Sequence, residues 1–180
     1  RRGELMQTAP RGAMLSVSIP ENTLQSILSG YPDISLAAVN STEHCVASGA
    51  EEPIARLKSA LENEGYASTV IRTSHAFHSY MMDGILEEFE KAVSRVQISK
   101  QQIPFVSNLS GKPAGDTEIS TPQYWVRHLR ETVRFSEGVE SVLTSKNAVF
   151  IEVGPGNALG TFVRTHRLRE KGHKVISLVR

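Results

Sequence analysis

The sequence predicts an α/β protein made of a small α+β sheet of order βαββαβ set beside pieces of a strand-and-helix unit. Three observations carry that expectation. Ala13, Leu15, Val17 and Ile19 alternate with other residues at the two-residue period of a half-buried strand. Met82, Ile85, Leu86, Phe89, Ala92 and Val96 recur at three- and four-residue steps, the period of an amphipathic helix. Ala148 to Val153 is a nearly unbroken apolar run that ends in Gly154-Pro155-Gly156 and leads into a further helical stretch.

Each element follows from local chemistry. After the first strand, Pro20 opens a short helix at its first position, Glu21 suits the positive end of the helix dipole, and Leu24, Ile27 and Leu28 follow at helical spacing. Ile34 to Asn40 and Cys45 to Ser48 are apolar runs joined by the polar Ser41-Thr42-Glu43-His44, which reads as a hairpin with a four-residue connection. Glu51 to Glu64 is a helix with Ile54, Leu57 and Leu61 on one face and Gly65 just past its end, and Thr69 to Thr73 is a strand. Residues 12–74 therefore read as βαββαβ, the split arrangement called ferredoxin-like. Beyond it come the long helix through Met82 and Val96, a strand Ile103 to Ser107, a loop Gly111 to Ser120 and a helix started by Thr121-Pro122. A helix through Phe135 and Leu143, the strand Ala148 to Val153, a helix Leu159 to Leu168 and a strand Val175 to Val179 complete the order. Strands alternating with helices predict a parallel sheet covered on both faces.

Composition narrows the function. The 180 residues, 39% of them hydrophobic, are enough to bury a core. Twenty Lys and Arg against nineteen Asp and Glu leave a net charge of +1, which argues against a nucleic-acid or anionic-membrane partner. One cysteine, Cys45, rules out an internal disulfide framework and a multi-thiolate zinc site. With no apolar run near the roughly 18 residues of a membrane span and no signal-peptide pattern at Arg1-Arg2-Gly3-Glu4, a cytoplasmic location is the expectation.

Ser74-His75-Ala76-Phe77-His78-Ser79 joins the small unit to the long helix, at a junction where a cleft between units is expected. Two readings stand side by side: one imidazole is a general base, or the segment is a polar loop whose Ser79 caps the helix. His75 and His78 have H-x-x-H spacing, and no second ligand motif supports a metal. Gly154-Pro155-Gly156 with Gly160 misses the dinucleotide spacing by one residue and reads as a strand-to-helix turn. Arg164, Arg167, Arg169, Lys171 and Lys174 form a basic cluster that reads as a solvated face.

Eight stretches together resemble the acyltransferase domains of modular type I polyketide synthases, relatives of malonyl-CoA:acyl carrier protein transacylases. They are Arg2-Gly3-Glu4-Leu5-Met6, Pro10-Arg11-Gly12-Ala13-Met14, Ala37-Ala38-Val39-Asn40, Val46-Ala47-Ser48-Gly49, His75-Ala76-Phe77-His78 within its flanking serines, Tyr124 to Arg130, Val133-Arg134-Phe135 and Glu152 to Gly156. The resemblance implies a ferredoxin-like subdomain, residues 12–74, inserted in an incomplete α/β-hydrolase-like one, residues 1–11 and 75–173, with 174–180 ending the domain or starting a linker. It implies that His78 is the general base of a serine nucleophile, that the backbone carbonyl of His128 orients its ring, and that Arg2 grips the malonyl carboxylate. It places His75 and Phe77 in the motif form associated with malonyl rather than methylmalonyl units. It implies malonyl-CoA as donor, the phosphopantetheine of an acyl carrier protein as acceptor, neighbouring synthase domains as partners, and no metal or redox cofactor.

The departure is the nucleophile. No G-x-S-x-G elbow occurs in the 180 residues. The expectation is a C-terminal portion that holds base and clamp, is inactive alone, and aggregates or is mobile outside 12–74. The alternatives are a non-catalytic docking module for a carrier protein or synthase domain, and a self-contained hydrolase using Ser79 or Cys45.

Overall fold

A computed structural model describes residues 1–179. Helix α1 (Arg2–Thr8) precedes β1 (Ala13–Val17), α2 (Glu21–Leu28), β2 (Ile34–Ser41), β3 (His44–Gly49), α3 (Glu51–Asn63) and β4 (Ser68–Ile71). The four strands form one antiparallel sheet in the order β2-β3-β1-β4, as the βαββαβ reading requires. Leu15, Val17, Val39, Cys45 and Ala47 turn one face of this sheet toward Leu24 of α2 and Ile54, Leu57 and Leu61 of α3. Each Val, Leu or Ile among these, fully buried, contributes about 1.5–3 kcal/mol. The other face carries Met14 and Val46, which pack with Ala37 against Phe77. The ends of this unit meet: Gly12 N–H donates to Ser74 O at 3.2 Å.

Close packing at Gly49 gives a direct test. A Cβ there would lie 2.6 Å from the Asp33 carbonyl oxygen, a backbone atom that cannot step aside. Gly49→Ala is expected to lower the stability of the small sheet by about 1–3 kcal/mol, read as a lower urea midpoint, and an unchanged midpoint would remove this account of Gly49.

After the junction come a 3-10 helix (Tyr80–Ile85), α4 (Leu86–Val93), α5 (Asp116–Ile119), α6 (Pro122–Arg130), α7 (Phe135–Leu143), β5 (Val149–Glu152), α8 (Ala158–Thr165) and β6 (Lys174–Ser177). Thr121 caps α6 as expected, its Oγ1 accepting from Tyr124 N–H at 3.4 Å with Pro122 in the first turn. The single long helix through Met82 and Val96 is replaced by the 3-10 turn and the shorter α4. At three residues per turn Met82 and Ile85 eclipse, so both bury on one face, and Gly84 between them adds no side chain to resist the tighter winding.

Smaller departures have equally local causes. Pro20 is the N-cap of α2 rather than its first residue. Ser41 pairs with His44, which leaves Thr42-Glu43 as a two-residue hairpin connection. The expected strand at 103–107 forms only a Val106–Pro113 bridge: Pro104 has no N–H to give a ladder, and Ile103 is largely exposed. At the C-terminus, Lys174–Ser177 pairs in parallel with Val149–Glu152; Arg180 lies outside the described residues. Of that two-stranded sheet, Phe150 and Val175 face Val139, Leu143 and Val163. Val149, Ile151 and Ile176 on its other face are about half exposed, so the parallel sheet is covered on one side and not on both.

Candidate active site

His78 stands at the meeting of the two parts of the fold. Its φ is 56°, in the left-handed region that non-glycine residues rarely adopt and that recurs where function holds a side chain in place. The strained turn aims its ring at the end of α6, where Nδ1 lies 2.9 Å from Glu131 O. A carbonyl only accepts, so Nδ1 carries the proton and Nε2 keeps its lone pair. Burial pushes the pKa of His78 down to about 4, against the raising effect of that backbone bond, and the charges of Arg2 and His128 lower it further. At neutral pH the ring is an uncharged base with one nitrogen open.

The orienting carbonyl therefore belongs to Glu131, not to His128. His128 is inside α6, where carbonyls point along the helix axis, whereas Glu131 is the C-cap with extended φ and ψ of −85° and 166°, which frees its oxygen to turn aside. The His128 ring lies against Tyr124 and Trp125, its Nδ1 buried without a hydrogen-bond partner and its pKa lowered by burial and then by Arg2.

Arg2 projects from α1, a helix that the apolar pattern did not predict. Leu5 and Ala9 pack that helix against Met82, Ile85, Phe89 and Leu129, which carries Arg2 toward the two imidazoles. Its Nε is buried and unpaired, and burial lowers its pKa. Among the described residues no carboxylate pairs with this guanidinium, whose planar N–H donors have the geometry to meet a carboxylate.

Phe77 is half-buried, packed on Met14, Ala37 and Val46 of the small sheet. His75, expected at the substrate, is 4% exposed with Nδ1 2.8 Å from Ser74 Oγ, and its ring lies 5.9 Å from that of Phe77. The fold thus buries His75 behind the Phe77 ring.

The remaining candidates resolve into structure. Ser79 is fully buried, donates to Ala76 O at 2.6 Å and accepts from Met81 N–H at 3.2 Å, so it is the helix cap. Cys45 is buried, its thiol pushed up to about 12 chiefly by burial, which leaves no thiolate at neutral pH. These placements remove the hydrolase alternative. Among the described residues no three His, Cys, Asp or Glu side chains gather as metal ligands, and no helix is long and apolar enough to cross a membrane. In the Gly154-Pro155-Gly156 turn, the Glu152 carboxylate accepts from Leu159 and Gly160 N–H, both at 3.1 Å, and so occupies the N-terminus of α8. The five basic residues near the C-terminus are exposed, Arg167 pairing with Glu140. A cavity of about 550 Å³, lined largely by apolar side chains among them Phe135, Val139, Phe150, Val163 and Val175, does not include the His78 segment.

A half-buried, neutral imidazole held by a backbone carbonyl thus stands beside a guanidinium that pairs with no carboxylate among the described residues, between a four-stranded sheet and a helical layer. The chain belongs to the acyl transferase domain family, whose model matches residues 1–178, in the form that polyketide synthases carry. It is 32% identical over 180 residues to a phenolphthiocerol/phthiocerol polyketide synthase of Mycobacterium tuberculosis, covering 99% of this chain and 12% of that protein. It is 38% identical over 160 residues to the spectinabilin polyketide synthase system protein NorB of Streptomyces orinoci, covering 88% of this chain and 7% of that one. Its fold superposes on the acyl transferase domain of SpnD, solved with 2-(pent-4-yn-1-yl)malonyl, with a TM-score of 0.90 and 31% identity, over 98% of this chain and 42% of that one. The chain thus spans less than half of the domain structure it matches and about a tenth of these synthases.

Proposed function

We propose that this chain supplies the base and carboxylate clamp of an acyltransferase that moves a malonyl group from malonyl-CoA to the phosphopantetheine thiol of an acyl carrier protein. The observation that carries the reading is the His78 ring, bound at Nδ1 by the Glu131 carbonyl and open at Nε2, within the field of Arg2. The nucleophile is a serine in a G-x-S-x-G elbow contributed from outside these 180 residues. Residues 12–74 are the ferredoxin-like insert, and residues 1–11 with 75–177 belong to the α/β-hydrolase-like part, whose bare β5–β6 face adjoins the rest of the domain. A cytoplasmic setting and neighbouring synthase domains belong to the same reading.

The steps balance without a metal or redox group. Nε2 of His78 takes the serine proton as Oγ attacks the thioester carbonyl; the C–S bond breaks and the coenzyme A thiolate leaves with that proton. The carrier's thiol then gives its proton to Nε2 and attacks the acyl-serine, the C–O bond breaks, and serine recovers its hydrogen. Arg2 holds the free carboxylate through both halves with two parallel N–H donors.

Joining the chain to a segment that bears a serine elbow is expected to give malonyl transfer to a carrier protein, measured as mass gain on the carrier; a folded assembly that transfers nothing would overturn the reading. Phe77 is the selectivity element. Its ring, braced by Met14 and Val46, crowds the carbon that bears the extra methyl of methylmalonyl. Phe77→Ala is expected to narrow the preference for malonyl by about 10- to 200-fold in a competition of the two donors, and an unchanged ratio would take Phe77 out of selection.

A further inference from the structure

The oxygen that orients His78 is itself held by the small sheet. Beyond α6, Glu131 N–H donates to Arg127 O at 2.7 Å and closes the helix. The next residues then leave it. Thr132 Oγ1 donates to Leu36 O at 2.7 Å, Val133 N–H to Ala37 O at 2.9 Å, and Val39 N–H to Val133 O at 2.9 Å. Val133 thereby forms a parallel bridge with Ala38, and Arg134 N–H fixes the far end on Asn108 O at 2.7 Å. The strap 131–134 is a short added neighbour on the free edge of β2.

That edge is irregular where the strap meets it. Leu36 pairs with Ala47 and Ala38 with Val46, so Ala37 is an extra residue in β2. In an unbroken strand, consecutive carbonyls point to opposite edges and only one of Leu36 O and Ala37 O would face the strap. A bulge removes that restriction, and bulges recur at sheet edges beside active sites. Both carbonyls here accept from the strap, one from the Val133 backbone and one from the Thr132 hydroxyl.

We propose that Thr132 is a positioning residue for His78: its hydroxyl bond to the bulged β2 edge fixes the strap and so sets the Glu131 carbonyl that keeps the His78 proton on Nδ1. The small sheet is then part of the catalytic geometry although it contributes no group to the transfer. The proposal rests on the reading of His78 as the base, and its test does not.

In Thr132→Val the volume is kept, the hydroxyl is lost and Leu36 O is left without that donor. Long-range ¹H–¹⁵N spectra of the chain at pH 7, where His78 is neutral, are expected to show the ratio of Nδ1–H to Nε2–H tautomer at His78 falling about fivefold, the factor carried by a typical net hydrogen-bond contribution. Thr132→Ser keeps the hydroxyl and is expected to restore the ratio. A folded Thr132→Val with the original ratio, or Thr132→Ser with the same loss as Val, overturns the proposal. Should Thr132→Val fail to fold, amide exchange in the unaltered chain decides: Val39 and Val133 are expected to be protected like the β1–β3 amides, and exchange at free-loop rates overturns the strap. His78→Ala without effect on transfer would remove the base and leave the tautomer result standing.

Discussion

His78→Ala is expected to reduce malonyl transfer by about 10²- to 10⁴-fold in the assembly that carries the serine elbow, the range that a positioned general base contributes. The loss should fall on kcat and kcat/KM alike, because in the proposed mechanism the ring acts on the proton of the attacking group and not on the bound carboxylate. The pH profile follows from the burial of the ring. With a pKa near 4 the base is neutral throughout the physiological range, so kcat/KM should be flat from about pH 5 to 8 and fall tenfold per unit of pH below about 4. Stability runs in the same direction. A histidine whose pKa drops from 6.5 to about 4 on folding contributes fully above pH 6.5, and the contribution is lost as pH falls toward 4; its full size is on the order of 3 kcal/mol. His128, also lowered by burial, adds to the same acid lability. A rate that fell with an ordinary histidine pKa of 6.5 would contradict the burial that the fold imposes, and an unaffected His78→Ala rate would remove the ring from the chemistry.

Arg2→Ala should cost about 10- to 200-fold in kcat/KM for malonyl-CoA, the worth of one charge-assisted hydrogen bond, with a larger loss where both N–H donors engage. Because the proposed grip is on a part of the substrate that does not react, a truncated donor such as acetyl-CoA should lose almost nothing. The ratio of the two donors is therefore the sharper measurement. Arg2→Lys keeps the charge and loses the planar fork, so it should recover only part of the loss. Removing Arg2 also removes a positive charge that lowers the pKa of His78, and the acid limb of the rate should move slightly upward in pH. Equal losses for malonyl and acetyl donors would make Arg2 a structural residue of α1 instead.

How far the sequence could be read depended on whether a feature is written in side chains. The alternation at Ala13 to Val17, the periodic Ile54, Leu57 and Leu61, and the Thr121-Pro122 start all encode a local solvent preference, and the strands and helices formed where those patterns stood. His78, Arg2 and Phe77 could be proposed as site residues from the sequence because their side-chain chemistry matches a family motif. Elsewhere the pattern was silent or ambiguous. The run from Met82 to Val96 fits an α-helix by spacing alone, and only packing against α1 and Leu129 selects the 3-10 turn that buries Met82 and Ile85 together. His75 carries the same imidazole as His78, and only the fold buries the one and leaves the other half-buried against the Glu131 carbonyl.

The composition and order of residues were enough to determine a βαββαβ unit beside strands and helices of a second part, its place in a family, and which residues to propose as base and clamp, because those depend on hydrophobic period and functional group. Which carbonyl holds the His78 ring, Glu131 rather than His128, which edge strand the segment 131–134 joins, and which histidine is fully buried were decided by tertiary structure alone. The reason is physical: every residue brings the same backbone carbonyl, so nothing in a side chain marks the one that the end of a helix and the bulge of a neighbouring strand will turn toward the site.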